Sequence, residues 1–139
     1  MPDELELHFT QLTDALAASE AAPLSAKKAM LAALLADAYA DRLAGPGADV
    51  LAFRAELASG SEALALVFEL AAMREGGARL VTEAVEVPLA DYGTLSTADF
   101  MVSLYNQHSV QRVRIAMGET RRDVHEVLQG AVAALRARG

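Results

Sequence analysis

The hydrophobic positions of this 139-residue chain follow two rhythms, and one gives way to the other near Gly77. Before that point the spacing is helical. Leu5, Phe9, Leu12 and Leu16 lie 4, 3 and 4 residues apart, which places them on one face of a helix. Asp3 can cap that helix while Glu6 reaches back, a capping-box arrangement. The run Ala21-Ala22-Pro23-Leu24-Ser25 interrupts it, and Ser25 is a good cap for a second helix over about residues 26–43. In this second helix Leu31, Leu34, Leu35 and Ala38 form the expected apolar stripe. Gly45-Pro46-Gly47 ends it, since neither residue type continues a helix well. Asp49 caps a short third helix ending near Ser59-Gly60, and Ser61 opens a fourth. There Leu64, Leu66, Val67, Phe68, Leu70 and Met73 point almost all round the axis, the pattern of a helix buried at the centre of its unit. Gly76-Gly77 is expected to close it.

Beyond Gly77 the period becomes two. Val81, Val85, Val87 and Leu89 alternate, predicting a strand over residues 80–89, with Pro88 placing its end at an edge or exit. A second strand is predicted over 110–117, with Val113, Ile115 and Met117 on one face and Arg112 and Arg114 on the other. The stretch 99–106 fits two templates. As a strand it makes a hairpin with 110–117 through Asn106-Gln107-His108-Ser109, and the register then sets Phe100 opposite Ile115 and Val102 opposite Val113. As a helix it has Ser96 and Asp99 as a capping box and Leu95 and Phe100 as a staple. The hairpin is the preferred reading because its register brings apolar residues together. A last amphipathic helix is expected over about 121–138, with Val124, Val127, Leu128, Ala131 and Leu135 inward and Thr120 or Asp123 as its cap.

The predicted fold class is therefore α+β. An Ala-rich helical unit of about four helices (residues 1–77) is followed by a small antiparallel β-meander and a C-terminal amphipathic helix (78–139), all in a single domain. A sheet this small needs helices against it, with the fourth and last helices as the expected supports. Composition fits this picture. Of 30 alanines, 22 lie in the first 78 residues, and alanine both favours helix and lets helices approach closely.

Charge and chemistry narrow the function classes. The net charge of −7 is entirely N-terminal: residues 1–70 carry four basic and eleven acidic side chains, and residues 71–139 carry eight of each. An acidic helical half repels phosphate backbones, so nucleic acid is a disfavoured partner. The absence of cysteine removes disulfides, thiolate metal sites and cysteine nucleophiles. The start Met-Pro-Asp-Glu-Leu-Glu is acidic where an export signal needs basic residues, and the longest apolar run, Ala29 to Ala36, is far short of a membrane span. A cytoplasmic protein without membrane contact is the expectation.

The most suggestive group of side chains is basic. Arg112 and Arg114 share a strand face, Arg121 and Arg122 follow closely, and the hairpin register would add Tyr105 beside them. Guanidinium groups grip planar oxyanions bidentately, so these residues are the candidate ligand- or partner-binding site. A solvated strand face is the plainer account of them. Asp37 and Asp41, one helical turn apart, could hold a divalent metal if other helices added Glu62 or Glu69, but no Glu-x-x-His motif accompanies them. His8, His108 and His125 share no ligand spacing, and no glycine run matches a phosphate loop. No motif implies a metal, a cofactor or a catalytic residue.

The sequence thus reads as a non-catalytic interaction or regulatory protein that binds itself, as a homodimer, or another protein. A small anionic-ligand module using the Arg112 and Arg114 face, and a metal enzyme using Asp37 and Asp41, are the alternatives.

Overall fold

The computed structural model describes residues 3–86, 99 and 109–138. Among them are five helices and three strands in the order α1 (Glu4–Ala21), α2 (Ala26–Ala44), α3 (Val50–Gly60), α4 (Glu62–Ala72), β1 (Arg79–Glu86), β2 (Ser109–Met117), β3 (Thr120–Asp123) and α5 (Val124–Arg138). The fold class is α+β, four helices preceding an antiparallel sheet and a fifth following it. No described helix is long and apolar enough to cross a membrane.

Each helix begins where a short polar side chain can satisfy a free backbone N–H. Asp3 accepts from the Glu6 N–H at 2.7 Å, Ser25 from Lys28 at 3.2 Å, Asp49 from Ala52 at 3.1 Å and Ser61 from Leu64 at 3.2 Å. Asp123 accepts from the Glu126 N–H at 3.0 Å, which makes it the cap of α5 in preference to Thr120. Residues 120–123, expected at the start of that helix, instead form β3. Gly118 permits this, because its φ of +59° turns the chain back within two residues of β2.

The strands pair antiparallel in the order β1-β2-β3. Along the whole of β1 its neighbour is β2, with Leu80 opposite Ile115, Thr82 opposite Val113 and Glu83 opposite Arg112. Directly opposed residues share a face, so Leu80, Val113 and Ile115 turn toward the core. The hairpin expected between 99–106 and β2 lies outside the described residues except for Asp99, whose backbone is helical.

One continuous core joins the helices to the sheet through Leu12, Leu64, Val67, Ile115, Val127, Leu128 and Leu135. The sheet rests on α5 along β2 and β3, and on α2 at β1. Helix α4, expected beside the sheet, packs mainly against α5, α2 and α3. It is apolar round most of its circumference as its pattern requires, with Leu64, Leu66, Val67, Leu70 and Ala71 buried. Met73 departs from that pattern. It stops the helix in a left-handed conformation, φ 50°, ahead of Gly76-Gly77, and is 68% exposed.

Helix α2 also departs from expectation. Its buried residues are Ala29, Ala32, Ala33, Ala36, Tyr39 and Ala40; of the expected stripe Leu35 packs against the core, while Leu31 and Leu34 are 52% and 38% exposed. The reason is steric. Helix α2 packs extensively on α1 and also meets α4 and α5, and at such a crowded crossing methyl groups let the backbones approach where leucines would hold them apart.

Candidate functional site

The strand register decides which arginines meet. Arg79, Arg112, Arg114 and Arg121 share the sheet face turned away from the core, with Arg79 and Arg121 flanking Ala116 on either side. Arg122 pairs across from Ile115 and so points to the opposite face, where it forms an ion pair with Glu62 of α4. Tyr105 lies outside the described residues. Three of the sequence candidates are thus brought together and one is separated from them. Arg79 joins the group unforeseen, because only the β1–β2 register reveals it.

This face is solvated only in part, Arg79 and Arg121 being exposed. Val110 and Ala116 lie on it and are 2% and 0% exposed, and Arg112 and Arg114 are half-buried. Their charges are answered within the molecule. Arg112 Nη2 lies 3.1 Å from Asp99 Oδ2, and its Nη1 donates to the Gln111 carbonyl at 2.9 Å. Glu83 takes Arg114 Nη1 at 3.4 Å on one oxygen and faces Arg121 Nε at 3.7 Å with the other. Arg121 Nη1 also donates to the carbonyls of Gly118 and Thr120, both at 3.0 Å. An incoming anion would have to displace Glu83 or Asp99, and either carboxylate would then be left half-buried without its partner.

The carboxylate pair on α2 is likewise engaged. Asp37 and Asp41 converge on the guanidinium of Arg54 from α3, which salt-bridges Asp37 and donates to Asp41 Oδ1 at 2.8 Å. Arg54 also donates to the Asp37 carbonyl at 3.1 Å and stacks over the Phe68 ring at 4.1 Å. Burial works against its charge, but the hydrogen bonds and charges of Asp37 and Asp41 outweigh burial and raise its pKa above the ordinary value. Asp37, Asp41 and Arg54 therefore form a clamp joining α2 to α3. No group of three His, Asp or Glu side chains suited to a metal occurs among the described residues.

The histidines are also tied into the fold. His8 contacts Arg42 and lies 3.5 Å from Glu4, and His125 Nε2 is 2.9 Å from the buried Ser19 hydroxyl. His108 lies outside the described residues. A groove of about 520 Å³ beside α1 is lined by Asp3, Glu6, Phe9, Tyr39 and Arg136 among others. Tyr39 is buried, and burial, helped by the nearby Asp3 charge, pushes its hydroxyl pKa above the usual 10.0. The other polar lining groups are Asp3, Glu6, Thr10 and Arg136, the last lying over the Phe9 ring at 5.1 Å. Among the described residues no hydrogen bond pairs the Thr10 or Tyr39 hydroxyl with a base, as an activated nucleophile requires.

The outer face of α2 carries two exposed leucines, and of its charged residues Asp41 is already held by Arg54. Lys27, Leu31, Leu34, Ala38 and Asp41 follow one another at steps of 4, 3, 4 and 3 residues, and at 3.6 residues per turn they fall within an arc of about 80°. That arc is opposite the buried alanines. Lys27 has no ion-pair partner among the described residues. Comparison with known protein families, with characterised proteins and with solved structures finds no match to this chain.

Proposed function

We propose that this protein is a non-catalytic, cytoplasmic interaction protein that associates with itself, and that its working surface is the outer face of α2. The observation that carries the reading is the partial exposure of Leu31 and Leu34, 52% and 38%, on a helix whose alanines fill the core. Water penalises exposed leucine by an amount that a partner surface recovers, roughly 25 cal/mol for each Å² covered. Arg112, Arg114, Arg121, Asp37 and Asp41, the groups best placed to serve a ligand or a metal, are engaged in ion pairs within the chain, which supports interaction over catalysis. The acidic excess of residues 1–70 favours a protein surface over nucleic acid as the partner.

Sedimentation equilibrium on the purified chain over a wide concentration range tests this reading. A reversible rise in mass from monomer toward dimer is expected. A chain that stays monomeric at every concentration would overturn self-association.

A further inference from the structure

The exposed face of α2 has the spacing of a helix-pairing seam and a charge of opposite sign at each end. We infer that two copies of this chain pair antiparallel through α2 about a two-fold axis between Leu31 and Leu34, with Lys27 of each reaching Asp41 of the other. The inference rests on the self-association reading above and specifies its geometry.

Three observations lead to it. First, steps of 4, 3, 4 and 3 residues from Lys27 to Asp41 repeat every seven, the interval at which two helices keep one seam in contact. Second, the seam is apolar in the middle, with Leu31, Leu34 and Ala38, and charged only at Lys27 and Asp41. A parallel pair would stack lysine on lysine and aspartate on aspartate, whereas an antiparallel pair sets each positive end against a negative one. Third, side-chain volumes suit the antiparallel register. With the axis between Leu31 and Leu34, each Leu31 meets Leu34 of the second copy and each Lys27 lies over Ala38. The alanine methyl leaves room for the lysine stem, whose ammonium then reaches Asp41 one turn further on. Asp41 is 53% exposed on its side chain and gives only Oδ1 to Arg54, so a second cation can approach it.

A two-fold pair is isologous, so each substitution counts twice. Lys27→Glu alone and Asp41→Lys alone each create two repulsions and are expected to weaken dimerisation about tenfold or more. Mixing the two variants restores both pairs in the heterodimer, which should recover near wild-type affinity in sedimentation. Single variants that dimerise like the wild type, or a mixture no tighter than its components, would overturn the geometry while leaving self-association standing. A monomeric wild type would remove both. Because Asp41 also contacts Arg54, circular dichroism should confirm that Asp41→Lys is folded. If it is not, Leu31→Cys and Leu34→Cys chains mixed under mild oxidation read the same register in a protein that otherwise lacks thiols. A disulfide between the two variants is expected, and its absence would contradict the pairing.

Discussion

Leu64→Ala is expected to lower the unfolding free energy by on the order of 3 kcal/mol, within the range for a fully buried leucine cut back to alanine. Leu64 is completely buried on α4 and belongs to the core that α4 shares with α2, α3 and α5. Its backbone N–H donates to Ser61, and that cap survives the substitution, so the loss isolates side-chain packing. Urea unfolding monitored by circular dichroism measures it directly. A loss below about 1 kcal/mol would mean that the site collapses around the truncation and that α4 is not the centre of the helical unit.

Ala36→Leu is the second large effect, and it acts by excess volume. Ala36 is 0% exposed at the middle of the inward face of α2, where three more carbons have no space without moving a neighbouring helix. Overpacking of this kind costs about 1–3 kcal/mol and sometimes more. The same unfolding measurement should show the loss, even though leucine is nearly as good a helix former as alanine. Unchanged or increased stability would place Ala36 beside a void and contradict the close approach of α2 to its neighbours.

These two sites show which parts of the fold were legible in the sequence. The starts of α1 to α4 could be read at Asp3, Ser25, Asp49 and Ser61, because capping is a contact over three residues and needs no knowledge of the tertiary fold. The strand alternation around Val113 and Ile115 was equally local. The orientation of α2 was not. Ala29, Ala32, Ala33, Ala36 and Ala40 repeat with the same period as Leu31, Leu34 and Ala38, and hydrophobicity alone turns the leucines inward. Only the crowded crossing of α2 with its neighbours reverses that choice, and crowding is a property of the assembled chain. Strand β3 escaped notice because Thr-Arg-Arg-Asp has no apolar alternation, and its pairing depends on the turn at Gly118.

The arginine face was half legible. Period two correctly put Arg112 and Arg114 together, but a strand pattern does not name its neighbour in the sheet. Pairing β2 with β1 brings in Arg79 and the neutralising Glu83 from some thirty residues away. Likewise, the spacing of Asp37 and Asp41 signalled a carboxylate pair, while Arg54, which turns that pair into an interhelical clamp, comes from the next helix.

The claim on which the functional account depends is that Leu31 and Leu34 serve an interface and contribute nothing to the core. The most direct test is the unfolding free energy of a Leu31→Ser, Leu34→Ser double variant, measured at a concentration where the wild type is monomeric. Stability within about 1 kcal/mol of wild type is predicted, since substitutions at exposed sites usually change it by no more than about 0.5 kcal/mol each. A loss of several kcal/mol would mean that these leucines belong to the interior and that the outer face of α2 is not an interface.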